Sequence, residues 1–274
     1  MMRFFSFILI IIYFSGFRVE AHEKPLFQWG AMVGHGMLAA YPASDQYRYL
    51  TLPFPYVSYQ GDIFLTDDED GTRFRLIRNE NFDFDLSFGG SFTTSGEHIN
   101  ARQGMPNLDW TFELGPRLLY YFYKNPRVGN IRVGIPVRAS FATDFTFIRH
   151  VGYLFCPTFQ IDKYNFLTDK LDLFFMLTMN SFDRGEADFF FGVDPKYQTP
   201  ERPAYEAQGG YFDWEASLSA KYQWSNKMFL VGAQYADHSG AKNDTSPLFR
   251  SRINQSYFVG FGWVFGKIDS LSAD

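Results

Sequence analysis

"YFDWEASLSAKYQW" (residues 211–224) alternates apolar and polar residues along its length. Phe212, Trp214, Ala216, Leu218, Ala220, Tyr222 and Trp224 share one parity, and Asp213, Glu215, Ser217, Ser219, Lys221 and Gln223 share the other. A period of two puts the two sets on opposite faces of a β-strand. Either the apolar set packs in a protein core and the charges meet water, or the apolar set meets lipid and the charges line the inside of a barrel.

The same period recurs along the chain. Phe82, Phe84, Leu86 and Phe88 oppose Asp83, Asp85, Ser87 and Gly89, and Ile131, Val133, Ile135 and Val137 oppose Arg132, Gly134, Pro136 and Arg138. No apolar set carries a charge, as a lipid face requires, since Lys or Arg at the bilayer midplane costs about 2–4 kcal/mol. The polar sets are rich in Gly, Ser and Asp, which suits a crowded interior better than a solvent face. Trp110, Trp214, Trp224, Tyr257, Trp263 and Phe265 lie toward strand ends, the pattern of two aromatic girdles at the headgroup level.

The alternation predicts twelve strands, at about 27–38, 50–59, 62–66, 72–78, 82–92, 109–123, 130–142, 149–161, 170–181, 211–224, 227–237 and 255–265. Long gaps (39–49, 93–108, 182–210, 238–254) fall almost wholly on one side, and short ones (60–61, 79–81, 225–226) on the other. Short periplasmic turns and long outer loops are the pattern of outer-membrane barrels. The expected fold is therefore all-β, a transmembrane antiparallel up-and-down β-barrel of about 12 strands, or 10 if the second and third merge. Pro53 and Pro55 remove ladder donors, which predicts an irregular edge or bulges in the second strand.

The N-terminus, "MMRFFSFILIIIYFSGFRVEAHEKP", has a basic residue, an apolar run and a small-residue cut site, and is expected to be a signal peptide over 1–21. The barrel then occupies 22–265, followed by a tail over 266–274. A net charge of −5 excludes a phosphate-binding surface and hence a nucleic-acid partner. The single cysteine, Cys156, excludes an internal disulfide, so a closed sheet has to hold the exported chain.

By parity the strands carry Asp83, Asp85, Glu113, Asp172, Asp213 and Glu215 inward, together with Arg73, Arg75, Arg117, Arg132, Arg138 and Lys221. Six acids face six bases. Buried charges need partners, so the balance predicts a cross-linked, narrow lumen more than a wide ion-selective channel.

Catalytic groupings are weak. In "YADHSGAKND", Asp237, His238 and Ser239 are adjacent, and neighbours on a strand point to opposite faces. "GEHIN" offers Glu97 and His98 at the outer rim. The run Asp67, Asp68, Glu69, Asp70 lacks EF-hand spacing and reads as a solvated hairpin tip. Histidines 22, 35, 98, 150 and 238 show no metal-ligand spacing. Cys156 reads as a small packed residue on the inward side. No catalytic residue, metal site or cofactor is expected. The long segment 182–210 contains "FFFGV", which reads as a strand above the membrane, as a segment folding into the barrel mouth, or as a surface loop.

Four stretches resemble the MipA/OmpV family of outer-membrane proteins: 39–64, 112–122, 190–211 and 246–265. The sequence around Phe191, Gly192, Val193, Pro203, Ala204, Tyr205 and Gly209 carries the most specific likeness, followed by Tyr41-Pro42 with Ser44 and Asp45. Ala43 stands where that family usually has Gly, and the tail after Phe265 departs from its usual aromatic end. The resemblance implies a non-enzymatic barrel in the outer membrane, in contact with its lipid, that scaffolds or anchors murein machinery by binding a lytic transglycosylase and a murein synthase. A small-solute, porin-like channel is the alternative, and a barrel hydrolase a third.

Overall fold

The computed structural model describes residues 25–67, 70–91 and 99–269. The signal peptide expected over 1–21, His98, and tail residues 270–274 lie outside the described residues.

The chain forms β1 (Phe27–Ala39), β2 (Tyr47–Gln60), β3 (Phe64–Asp67), β4 (Gly71–Arg78), β5 (Phe82–Ser91), β6 (Trp110–Asn125), β7 (Gly129–Thr143), β8 (Ile148–Phe155), β9 (Thr158–Lys163), β10 (Leu171–Phe182), the helix α1 (Arg184–Phe191), β11 (Gly210–Trp224), β12 (Lys227–Asp237) and β13 (Ile253–Ile268). All the strands belong to one antiparallel sheet, and β13 pairs back onto β1 to close it. β8 and β9 are halves of one wall strand, since both lie between β7 and β10. They are separated at Cys156-Pro157, where Pro157 has no N–H to donate. The wall is thus a closed barrel of 12 strands.

Phe27 pairs with Ile268, so both ends of the barrel chain lie at the rim that carries the short turns. That rim is the periplasmic one in outer-membrane barrels. β13 runs past Phe265 because Gly266, Lys267 and Ile268 extend the ladder against Trp29, Gln28 and Phe27. Three residues expected in the tail therefore belong to the wall.

The alternation sorts as lipid outside and charge inside. On β11, Trp214, Leu218, Tyr222 and Trp224 are exposed, whereas Asp213 is buried. Trp29, Trp224 and Trp263 mark the periplasmic side of the outer surface, with Trp29 edge-on to Phe265 at 5.4 Å. Trp110 with Phe145, and Trp214 with Tyr235, mark the other side, at 5.2 and 5.6 Å.

Phe212 departs from the parity reading. Asn180 pairs with Asp213 but Ser181 pairs with Tyr211, which leaves Phe212 as the extra residue of a bulge. The bulge turns its ring inward, where it is buried against Phe182 and Phe191.

The second strand has the irregular edge that its prolines predict. β2 pairs with β1 without a register break from Tyr47 to Tyr59. On its other side, β3 pairs with it only at Tyr59 and Gln60. Gln60 N donates to Leu26 O on the β1 side. The two-residue repeat of the ladder then aims every even-numbered β2 amide at β1 and every odd-numbered one away. Pro53 and Pro55 are odd, so their missing donors fall on the side where, among the described residues, no strand pairs.

Candidate functional site

The lumen is filled at two levels, and a chamber lies between them. The lower level is a belt of ion pairs built around the β3–β4 hairpin. Asp67 and Asp70, read from sequence as part of a solvated tip, are buried inside the barrel; the Asp70 side chain is 2% exposed. The reason is long-range. Two arginines from other strands wait there, with Asp70 meeting Arg117 at 2.9 Å and Arg132 at 3.3 Å, while Arg73 of the hairpin itself binds Asp67 at 2.8 Å.

The belt continues through Asp85, held by two Arg117 nitrogens at 3.0 and 2.7 Å. Asp162 bridges to Arg132 at 3.1 Å and accepts from Asn130 and Gln160. Asp83 accepts from the Tyr121 hydroxyl and from Lys124, and faces Arg75 at 3.8 Å. Five carboxylates (67, 70, 83, 85, 162) thus face five cations (73, 75, 117, 124, 132). The opposite wall fills its share with Met32, Tyr56, Met228, Val264 and Leu230.

The remaining inward residues pair elsewhere. Arg138 meets Glu113 at 3.2 Å, and Lys221 meets Asp172 at 3.5 Å. Glu215 accepts from Gln234 at 2.8 Å. Asp213 faces His238 Nδ1 at 3.0 Å and accepts from Asn180 at 2.7 Å. Asp70, Asp162, Lys124 and His238 lie outside the strand ranges that the alternation predicts, in a turn or one residue past the end of a predicted strand, so parity assigns them no face. Ser239, adjacent to His238, is exposed, so the Asp-His-Ser run does not converge.

The upper level is a lid of outer loops. α1 starts at Asp183, whose carboxylate accepts from Glu186 N at 2.9 Å. That Asp-x-x-Glu spacing is a local sequence signal of a helix start. Of the three readings of the FFFGV segment, folding into the mouth is the one observed. Phe190, Phe191 and Val193 pack with Tyr41, Ile99, Leu108 and Leu248 into a core at the barrel mouth. Gly152 of β8 lets the helix approach, since a Cβ there would collide with Glu186 and Asp183. Val193 and Tyr205 exchange backbone hydrogen bonds at 2.9 and 3.0 Å, and Ser246 donates to Phe191 O at 2.7 Å.

The turn at Tyr41 ties the lid to β13. The Tyr41 hydroxyl donates to Leu248 O at 2.6 Å, and the Ala43 amide donates to Asn254 Oδ1 at 2.9 Å. Ala43 has φ of 60°, the left-handed region that glycine occupies without penalty. Burial pushes the Tyr41 hydroxyl well above the usual phenol range. Burial lowers Arg102 to about 10; its guanidinium donates to Phe190 O at 3.0 Å.

Under the lid lies the chamber, about 550 Å³, lined in part by Glu113, Arg138, Glu186, Asp213, Glu215 and His238. The Glu186 residue is 2% exposed, and its Oε2 has no hydrogen-bond partner. Burial raises the Glu186 carboxyl to about 7, against the pull of the Ser140 hydroxyl, and Glu113 and Asp183 add to the rise.

The sequence matches the model of one protein family over residues 30–265, described as MltA-interacting protein MipA. The chain belongs to the MipA family. No curated protein matches it. Among solved structures it is similar to the NanC porin, with a TM-score of 0.42 and 9% identity over 85% of this chain and 98% of that one. It is also similar to the CymD monoaromatic hydrocarbon channel, with a TM-score of 0.36 and 9% identity over 86% of this chain and 88% of that one. This MipA-family chain is an outer-membrane β-barrel.

Proposed function

We propose that this protein is a non-enzymatic anchor, which holds a murein-cleaving lytic transglycosylase, and with it a murein synthase, at the inner face of the outer membrane. The observation that carries this reading is the ion-pair belt. Five carboxylates and their cations cross-linked within the lumen narrow the way through for solutes and so support a role for the barrel's periplasmic surface. The family's description as an interaction partner of MltA supports the same choice.

The periplasmic turns are short, which limits where a partner docks. The longest is 164–170, between β9 and β10. Its tip, Leu167, is 85% exposed and held at φ of 63°. A protruding leucine in a left-handed conformation is costly for the barrel alone and is the kind of apolar anchor that interfaces use. Asn165 Nδ2 donates to Arg127 O, and Asn165 N donates to Asp172, so the turn is braced against its neighbours.

The test is co-purification of a lytic transglycosylase with the tagged full-length chain from crosslinked native envelopes. Recovery of the enzyme, reduced when Leu167 is replaced, is the expected result. Failure to recover any murein enzyme would remove the anchoring role.

A further inference from the structure

The chamber under the lid has properties that an anchor does not need. Its lining carries the carboxylates Glu113, Glu186, Asp213 and Glu215. Arg138 compensates Glu113 at 3.2 Å. His238 lies beside Asp213, and Glu186 and Glu215 have no cation of their own among the lining residues. Asp213 and Glu215 still have amide donors, from Asn180 and Gln234. Glu186 Oε2 has no hydrogen-bond partner although its residue is 2% exposed; the Ser140 hydroxyl, which pulls on the same carboxyl, is itself left without a partner at hydrogen-bond distance. A buried carboxylate oxygen without a partner is costly, and it borders a space that a small molecule fits.

The other lining groups narrow the class of ligand. Phe182, Phe190 and Phe212 line the same chamber, with Phe182 stacked on Phe212 at 4.6 Å. Aromatic faces beside carboxylates are the surroundings that favour an organic ammonium group. A metal ion fits less well, since among the described residues no three His, Cys, Asp or Glu side chains are placed to hold one. An anion is opposed by the sign of the lining.

From this arrangement we infer that the chamber binds a small organic cation, a protonated amine on an apolar body, with Glu186 as its counter-charge and hydrogen-bond acceptor and the phenylalanine rings around it. This goes beyond the anchoring role and stands independently of it. The ammonium supplies the partner that Glu186 Oε2 lacks, and the apolar body rests on the underside of α1.

The test uses the purified full-length barrel in lipid nanodiscs, titrated calorimetrically with benzylamine in its protonated form, with phenylacetate and with calcium chloride. Saturable binding of the cation with one site per barrel, and none of phenylacetate, is expected. Glu186→Gln keeps the shape and removes the charge, and weakens binding about tenfold or more. Thr178→Phe fills the chamber from β10 and abolishes binding. Both variants are first checked for the heat-modifiable gel mobility of an intact barrel, and either one that folds suffices for the test. Equal binding of cation and anion, binding undiminished by the variants, or no saturable binding at millimolar concentration would overturn the assignment. Displacement of the ammonium by calcium at equal concentration would overturn the organic class.

Discussion

Arg117 joins two strands and a hairpin tip through one guanidinium: Nε and Nη2 hold the Asp85 carboxylate at 3.0 and 2.7 Å, and Nη1 holds Asp70 at 2.9 Å. Two parallel bonds to a carboxylate fix the guanidinium plane, so the remaining nitrogen is aimed at Asp70 in advance. This contact, with Arg132 from the other side, draws the β3–β4 hairpin into the lumen.

Asp70→Asn should therefore loosen the plug. Removing one partner of a buried charge network costs about 3–5 kcal/mol. Here each arginine keeps a second carboxylate (Arg73 with Asp67, Arg117 with Asp85, Arg132 with Asp162), so the low end is expected. Urea unfolding followed by gel mobility measures it. An unchanged midpoint would show that the hairpin tip is held by something else.

The β2 edge gives a position-specific contrast. Pro53→Ala adds an amide on the side without a pairing strand among the described residues and should change stability by less than about 1 kcal/mol. Phe54→Pro removes an amide directed at β1 and leaves its acceptor unpaired, at a cost of about 1–3 kcal/mol. Comparable effects at the two sites would mean that the ladder parity is wrong.

Glu186 makes lid docking depend on pH. Its carboxyl is raised to about 7 in the fold from an ordinary 4.5. A raised acid favours the docked state fully below its unfolded pKa, and the favour is lost as pH climbs from about 4.5 through about 7. The shift corresponds to about 3 kcal/mol at most. The groups facing it are Glu113 from β6, Arg138 and Ser140 from β7, and Asp183 at the helix start. Limited proteolysis of the 183–209 loop should accelerate as pH rises from about 4.5 to about 7 in the native protein, level off above that, and lose the dependence in Glu186→Gln. A pH profile shared by both proteins would assign the effect to another group.

How far the sequence reading reaches can be followed residue by residue. Period-two alternation located every wall strand, because lipid on one side and packed polar groups on the other impose it directly. Pro53 and Pro55 marked the β2 edge for a local chemical reason. Phe212 was misplaced because the bulge depends on how β11 registers against Asn180 and Ser181, which is a pairing between strands. A four-acid run such as that of Asp70 looks like any exposed turn in sequence, because Arg117 and Arg132 are 47 and 62 positions away in the chain. His238 was judged against its neighbour Ser239, while its real partners, Asp213 and Asn254, come from other strands. The spacing from Asp183 to Glu186 is a local signal of the lid, since an N-cap acid followed three residues later by Glu marks a helix start.

The turn at Leu167 separates stability from partner binding. Asparagine tolerates the left-handed conformation better than leucine. Leu167→Asn should leave the barrel as stable or up to about 1 kcal/mol more stable, while recovery of the lytic transglycosylase falls. Thermal unfolding and crosslinked co-purification on the same preparations check both halves. Recovery that stays at the native level would exclude this turn as the docking point.

The most direct measurement is the conductance of the purified full-length protein in planar lipid bilayers. A lumen closed by the Asp70 belt and the α1 lid predicts a silent native protein and discrete current steps only in a variant that opens both levels, Asp70→Asn with residues 184–209 deleted. Steady open-channel current from the native protein, at the same level as the variant, would contradict the closed lumen.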